Sequence, residues 1–238
     1  RDIITTEYNL IYNMQGKFFV IEGLDGCGKS TQLELLKNLC DKQGVAYKYI
    51  HFPMLNQGVY GTLIAEFLRG EFGTLEQVHP KLVALLFAGD RMEHINTIKG
   101  WLDEGYCVLA DRYVYSNIAF QCAKLDDEAE KTRLKEWILD YEFNTNLLPH
   151  PDRSFFLNVP FSHVEKSLSN ARTGNDRDYL NGKQDIHEAS LHFQRNVYNE
   201  YCKLLNEQDD LIQIDCFDTN GNFLPKEEIH QKIANAIR

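Results

Sequence analysis

No stretch of this chain stays apolar for the ~18–20 residues needed to cross a bilayer, and its first residues lack the charged-then-apolar pattern of a secretion signal. No membrane partner is expected, and the cytoplasm is the expected compartment. Positive charge is scarce too: 25 Lys and Arg against 35 Asp and Glu leave a formal charge of −10. A nucleic-acid polymer is therefore not an expected partner, because neutralising a phosphate backbone needs a basic footprint. A local basic site for a small anion remains open. Six cysteines are present, but none forms a C-x-x-C pair or clusters with histidine at zinc-ligand spacing. Their apolar surroundings predict reduced, mostly buried thiols. Repeats, low-complexity tracts and linkers are also missing, so the 238 residues, 43% of them hydrophobic, are read as one domain with a continuous core. Residues 1–15 precede the first strong strand and include Met14. They are set aside as an N-terminal extension, leaving 16–238 as the domain.

What is present alternates strand with helix. Residues 17–22 (KFFVIE) are apolar, β-branched and aromatic and end in a glycine-rich turn, which predicts a buried central strand. Apolar positions at Leu33, Leu36, Leu39 and Cys40, with a stop at Gly44, predict a helix over 29–43. Further strands are expected at 45–51, 106–110, 154–159 and 211–215. Further helices are expected at 61–69, 80–104, 115–123, 128–146, 161–171, 187–206 and 226–237, the long one opened by Pro80 and closed by Gly105. Residues 172–185 are polar, charged and twice interrupted by glycine, the pattern of an exposed mobile loop. Strands alternating with helices predict an α/β protein whose parallel sheet is covered on both faces.

Chemistry enters with Gly23 to Ser30, which satisfies G-x-x-x-x-G-K-[ST] with a strand before it and a helix after it. Glycines let the backbone curl so that successive N–H groups point at phosphate oxygens, and the helix adds the positive end of its dipole. Gly23, Asp25, Gly26, Cys27, Gly28, Lys29, Ser30 and Thr31 are thus the candidate ATP-binding residues. Lys29 supplies a mobile positive charge for the β and γ phosphates, and the Ser30 hydroxyl is placed to ligate Mg²⁺. A dinucleotide loop would read G-x-G-x-x-G, which this segment does not. Asp111 closes the third strand, where ligands of open α/β sheets gather. It reads either as a helix cap or turn residue, or as a carboxylate that touches Mg²⁺ directly or through water, and the phosphate loop favours the metal.

A phosphate loop does not define the acceptor. Phe87 and Arg91 stand four residues apart on the long helix and share a face, an aromatic plate one turn from a forked donor. The pair could stack on a nucleobase and hydrogen-bond its edge, but taken singly they read first as a core phenylalanine and a solvated surface charge. The pattern Asp111-Arg112-Tyr113-x-x-Ser116-x-x-Ala119-Phe120-Gln121, with Leu86-Phe87-Ala88-x-x-Arg91 and the loop Gly23-x-Asp25-x-x-Gly28-Lys29-Ser30-Thr31, resembles thymidylate kinase over about residues 16–207. The resemblance implies a three-layer α/β P-loop kinase fold, a five-stranded parallel sheet flanked by helices with a mobile lid at about 172–187. It implies transfer of the γ-phosphoryl group of ATP to dTMP with Mg²⁺, and a homodimer.

Carried over position by position, the resemblance implies that Arg112 grips the acceptor phosphate, Phe87 stacks on thymine and Arg91 reads its edge. Asp25 approaches the sugar hydroxyl, Phe52 borders the acceptor, and Ser116, Phe120 and Gln121 line the nucleoside pocket. Arg172 and Arg177 in the lid are the candidates to cover the transferring phosphoryl group, with Lys183 beside them, because the loop position that carries arginine in some relatives is Gly26 here. Three departures stand out: Met54 and Leu55 follow Phe52-Pro53 where many members have arginine, Asn117 replaces a common glycine in the base-pocket floor, and His187 replaces tyrosine after the lid. A kinase for dUMP, UMP or CMP, and an ATP-binding module without catalysis, are the competing readings. The chain lacks the N-K-x-D base-reading signature, which argues against a GTPase.

Overall fold

The computed structural model describes residues 14–55, 57–169, 180, 185–188 and 190–237. Five strands, β1 (Phe18–Glu22), β2 (Tyr47–His51), β3 (Cys107–Asp111), β4 (Arg153–Asn158) and β5 (Leu211–Asp215), form one parallel sheet in the order β2-β3-β1-β4-β5. Every residue of β1 and β3 is buried, as their unbroken apolar runs require of strands covered on both faces. Phe18 pairs with Val108 and Ile21 with Asp111, so Glu22 and Asp111 emerge together at the carboxyl edge. β1 and β3 are neighbours, yet the chain leaves them towards opposite edges of the sheet, to β2 and β4, making their ends a topological switch point.

The helix Lys29–Gln43 has the expected bounds. Elsewhere the elements differ in instructive ways. The helix expected at 80–104 is two, Pro80–Glu93 and Ile95–Asp103, separated by His94 at φ −105°, ψ 2°. The one expected at 128–146 is α-helical over Glu128–Leu139 and then widens into a π-helical turn, Asp140–Thr145. The one expected from 187 begins at Leu191, because the Ser190 hydroxyl caps the Phe193 N–H at 3.2 Å, and His187 lies in the preceding turn. Helices Gly58–Leu68, Val114–Cys122, Phe161–Ser169 and Lys226–Ile237 complete the described set. Of the expected loop 172–185, only Leu180 and Asp185 are described.

The main core joins both sides of the sheet through Phe18, Phe155, Phe156 and Leu109, and it includes Met14, so the last part of the expected extension packs onto the domain. A second, smaller cluster of Ile64, Phe67, Leu68 and Val83 fastens helix Gly58–Leu68 to helix Pro80–Glu93, with Phe87 and Ile186 packed against it. All six cysteines are free, and five are buried.

Candidate active site

The carboxyl ends of β1 and β3 open into a cleft of about 590 Å³ that runs from Lys29 and Ser30 at one end to Phe87 and Arg91 at the other. At the first end, Gly28 precedes the helix at φ 96°, a conformation that a side chain would strain. The Lys29 ammonium donates to the carbonyls of Leu24 at 3.0 Å and Gly23 at 3.4 Å, so it folds back over its own loop. Ser30 and Thr31 are exposed on the first helical turn. Cys27 is buried in the core, and burial pushes its thiol above the usual range, so it packs as a neutral side chain.

Asp111 is buried beside this loop. Its Oδ2 lies 3.4 Å from His51 Nδ1, while Oδ1 has no partner among the described residues. Burial alone would raise this carboxyl, but its contact with His51 and the charges of Lys29 and Arg112 hold it below the usual carboxylate range. A buried, ionised carboxylate oxygen without a partner, sharing a cleft with an exposed Ser30 hydroxyl, suits a hard cation such as Mg²⁺.

Arg112 follows at φ 65°, an unusual angle for a side chain of its size. That twist turns its guanidinium into the middle of the cleft. Nη1 donates to the Gly23 carbonyl at 2.9 Å and to Ser116 Oγ at 3.2 Å, and Nη2 donates to Asp25 Oδ1 at 2.7 Å. The Phe120 ring lies 4.9 Å from the guanidinium carbon. Beneath them is Glu22, which the sequence reading missed. Its fully buried carboxylate accepts from the N–H groups of Tyr113 and Ser116 at 3.0 and 3.3 Å, from Ser116 Oγ at 2.5 Å and from Tyr201 at 2.9 Å. Burial raises its pKa, with these bonds and Arg112 opposing the rise. Asp25 Oδ2 also accepts from Gln194 Nε2 at 3.3 Å, tying the loop to helix Leu191–Leu205.

At the second end, the helical spacing does bring Phe87 and Arg91 to one wall, but Arg91 is no surface charge. It is 1% exposed and paired in a bidentate fork with Glu142, Nε to Oε2 at 2.5 Å and Nη2 to Oε1 at 2.7 Å. Burial would lower its pKa, and Glu142 more than compensates. Asn117 is buried beside it, donating to the Ala84 carbonyl at 3.0 Å and to Glu142 Oε1 at 2.9 Å. Phe52 is buried against the rings of His94 and Tyr113, just before the cis Phe52–Pro53 bond.

His187 closes this end, stacked at 18° on Phe87 and touching Phe67, Phe120 and Phe193. Burial and then the nearby charge of Lys124 hold its pKa well below the usual histidine range, so the ring is neutral. Gln121 is buried and accepts from the Lys124 ammonium at 2.7 Å, leaving its own amide nitrogen without a partner among the described residues. The structure thus brings Asp25, Lys29, Ser30, Phe52, Phe87, Arg91, Asp111, Arg112, Ser116, Asn117, Phe120, Gln121 and His187 to one cleft. Arg172, Arg177 and Lys183 lie outside the described residues. Glu22 and Glu142 carried no sequence signal beyond a polar residue in an apolar setting, and each is read only through its partners.

Proteins named thymidylate kinase match most of the chain, this cleft included. The family model described as thymidylate kinase matches residues 21–233. A thymidylate kinase from Mycobacterium tuberculosis is 39% identical over 186 residues, covering 77% of this chain and 83% of that protein. One from Plasmodium falciparum is 33% identical over 201 residues, covering 84% and 82%. A solved thymidylate kinase structure from Candida albicans superposes with a TM-score of 0.69 at 26% identity, covering 94% of this chain and 91% of that one. A match spanning nearly all of the described fold, with its motifs gathered around one cleft, places the chain in the thymidylate kinase family.

Proposed function

We propose that this protein transfers the γ-phosphoryl group of ATP to dTMP, yielding dTDP and ADP. The observation that carries the proposal is the single cleft that joins a phosphate loop to an aromatic and guanidinium wall. Phosphoryl transfer needs positioning and charge neutralisation more than covalent help from the protein. The loop from Gly23 to Thr31 holds the donor phosphates, and Lys29 leaves its carbonyl contacts to meet them. Ser30 and Asp111 would hold Mg²⁺, which supplies charge neutralisation on the donor phosphates. Arg112, fixed by Asp25, Gly23 and Ser116, presents a planar fork to the acceptor phosphate and sets its oxygen in line with the donor. Phe87 stacks on the base, and Phe52, Phe120, Gln121 and His187 enclose the nucleoside. For Arg172 and Arg177 the support is the sequence alone: basic residues in a segment suited to covering a transferring phosphoryl group.

The cytoplasm is the proposed compartment, since no described helix is long and apolar enough to cross a membrane. A homodimer is the proposed assembly, supported by the exposed apolar residues Leu82, Leu85 and Met92 on helix Pro80–Glu93.

A coupled ADP-release assay with dTMP, dUMP, UMP and CMP tests the reading. The highest kcat/KM is expected for dTMP, and equal rates with ribose and deoxyribose acceptors would overturn the assignment. Arg112→Ala should leave ATP binding intact while lowering transfer by ~10² or more, through loss of a charge-assisted positioning contact.

A further inference from the structure

We infer that Glu142, which does not itself line the cleft, sets the base selectivity of this kinase by fixing the hydrogen-bonding polarity of Arg91 and Asn117. The inference rests on the dTMP kinase reading above. A base pocket can discriminate only as well as the polar groups in its wall are oriented. An asparagine amide is ambiguous by nature, since its oxygen and nitrogen exchange places on a flip. Here the ambiguity is removed. The Asn117 nitrogen faces two oxygens that can only accept, the Ala84 carbonyl at 3.0 Å and Glu142 Oε1 at 2.9 Å. Both of its hydrogens are therefore used, and Oδ1 must point the other way. That oxygen is buried and has no partner among the described residues, so it waits for a donor.

Glu142 also fixes the arginine. Its two oxygens take Nε and Nη2 of Arg91 at 2.5 and 2.7 Å, which leaves the second terminal nitrogen, Nη1, as the donor the fork does not use. One carboxylate thus orients an acceptor and a donor side by side, with Arg91 and Asn117 both lining the cleft. The matching ligand edge carries a carbonyl oxygen next to a ring N–H. Thymine and uracil have that lactam edge. Cytosine presents an amino group next to an unprotonated ring nitrogen, which sets donor against donor and acceptor against acceptor. A buried site built for one polarity rejects the reverse strongly, because its polar groups are left unpaired.

The local fold explains how a glutamate reaches this position. Helix Glu128–Leu139 widens into the π-helical turn Asp140–Thr145, and Glu142 and Phe143 in that turn are buried. Such turns insert a residue into the helical register and re-aim the side chains that follow. Glu142 is 0% exposed, yet it is satisfied by three donor contacts from two residues. It is a positioning residue, since it acts on the base only through Arg91 and Asn117.

The test is Glu142→Gln, assayed on the full chain with dTMP and dCMP at saturating ATP. Glutamine retains the shape but can turn its own amide towards Asn117, freeing the latter to flip. The ratio of kcat/KM for dTMP over dCMP should fall at least tenfold, with the KM for ATP unchanged. A purely structural glutamate would lower both acceptors together and leave the ratio where it was, which would overturn the inference. Should the glutamine variant not fold, Glu142→Asp retains the counter-charge for Arg91 but draws its oxygens back by one methylene. A roughly threefold or greater fall in the same ratio is then expected, and an unchanged ratio is again fatal. If the unaltered protein transfers nothing to dTMP, the kinase reading itself fails. If it does transfer and the ratio is insensitive to both variants, only the role of Glu142 is lost.

Discussion

Burial converts the charged and polar groups of this cleft into fixed points, because each must find a partner or lose its charge. That Lys29 and Asp111 would share a cleft was legible from the phosphate loop and the strand end, and that Arg112 and Phe87 would join them was legible from the resemblance to thymidylate kinase. Glu22 and Glu142 were not. A lone glutamate at a strand end or in a helix usually reads as solvated, and only folding reveals that one holds Ser116 and Tyr201 while the other holds Arg91. His187 was legible as a departure but not as an aromatic plug. Its ring shares a pocket with Phe67, Phe87, Phe120 and Phe193, and burial depresses its pKa well below 6.5. As pH falls through about 6.5 the unfolded chain takes up a proton that the folded chain refuses, so this group costs stability in acid and costs nothing above that range. His187→Phe removes the titration. The melting temperature of the variant relative to the native chain should therefore be higher at pH 5 than at pH 7.5, by a few degrees. Parallel melting curves against pH would show that the ring titrates normally.

Element boundaries were read well where the apolar pattern stops sharply against a polar or glycine turn, and poorly where a helical pattern runs on through the boundary. The helix Lys29–Gln43 and the strand Leu211–Asp215 have their expected bounds. The break at His94 and the π-helical turn at Asp140–Thr145 have neither glycine nor proline within them, and tertiary contacts overrode a continuous helical pattern. A further feature invisible in the sequence is the clamp on the turn after Phe52. The Met54 N–H donates to the buried Asp90 at 3.0 Å, and on its other side Gly61 lets helix Gly58–Leu68 approach so closely that an added Cβ would meet the Met54 carbonyl oxygen at 2.1 Å. Backbone cannot rotate away as a side chain can. Gly61→Ala should cost about 1–3 kcal/mol through overpacking, measurable by urea unfolding. Because the displaced turn carries Phe52, the KM for dTMP should rise more than the KM for ATP. An alanine variant of native stability and unchanged kinetics would mean that the clamp is slack.

At the scale of the molecule, helix Pro80–Glu93 faces two ways. Phe87 and Arg91 look into the cleft, while Leu82, Leu85 and Met92 lie on the opposite face at helical spacing and are 60%, 36% and 38% exposed. An apolar stripe backing an active-site wall is costly to leave in water, and pairing two copies along it would bury it while stiffening Phe87 and Arg91 from behind. The sequence could not single out this face, because its residues differ from core leucines only in what the fold places over them. Leu82→Glu sets a charge at the most exposed member of the stripe, where association would strip its water. The native chain should sediment as a dimer at micromolar concentration, and the variant as a monomer. The dependence of melting temperature on protein concentration should disappear with the substitution, since subunit association stabilises by mass action. A native chain that sediments as a monomer at every concentration would remove the dimer from the account and leave the stripe without an occupant.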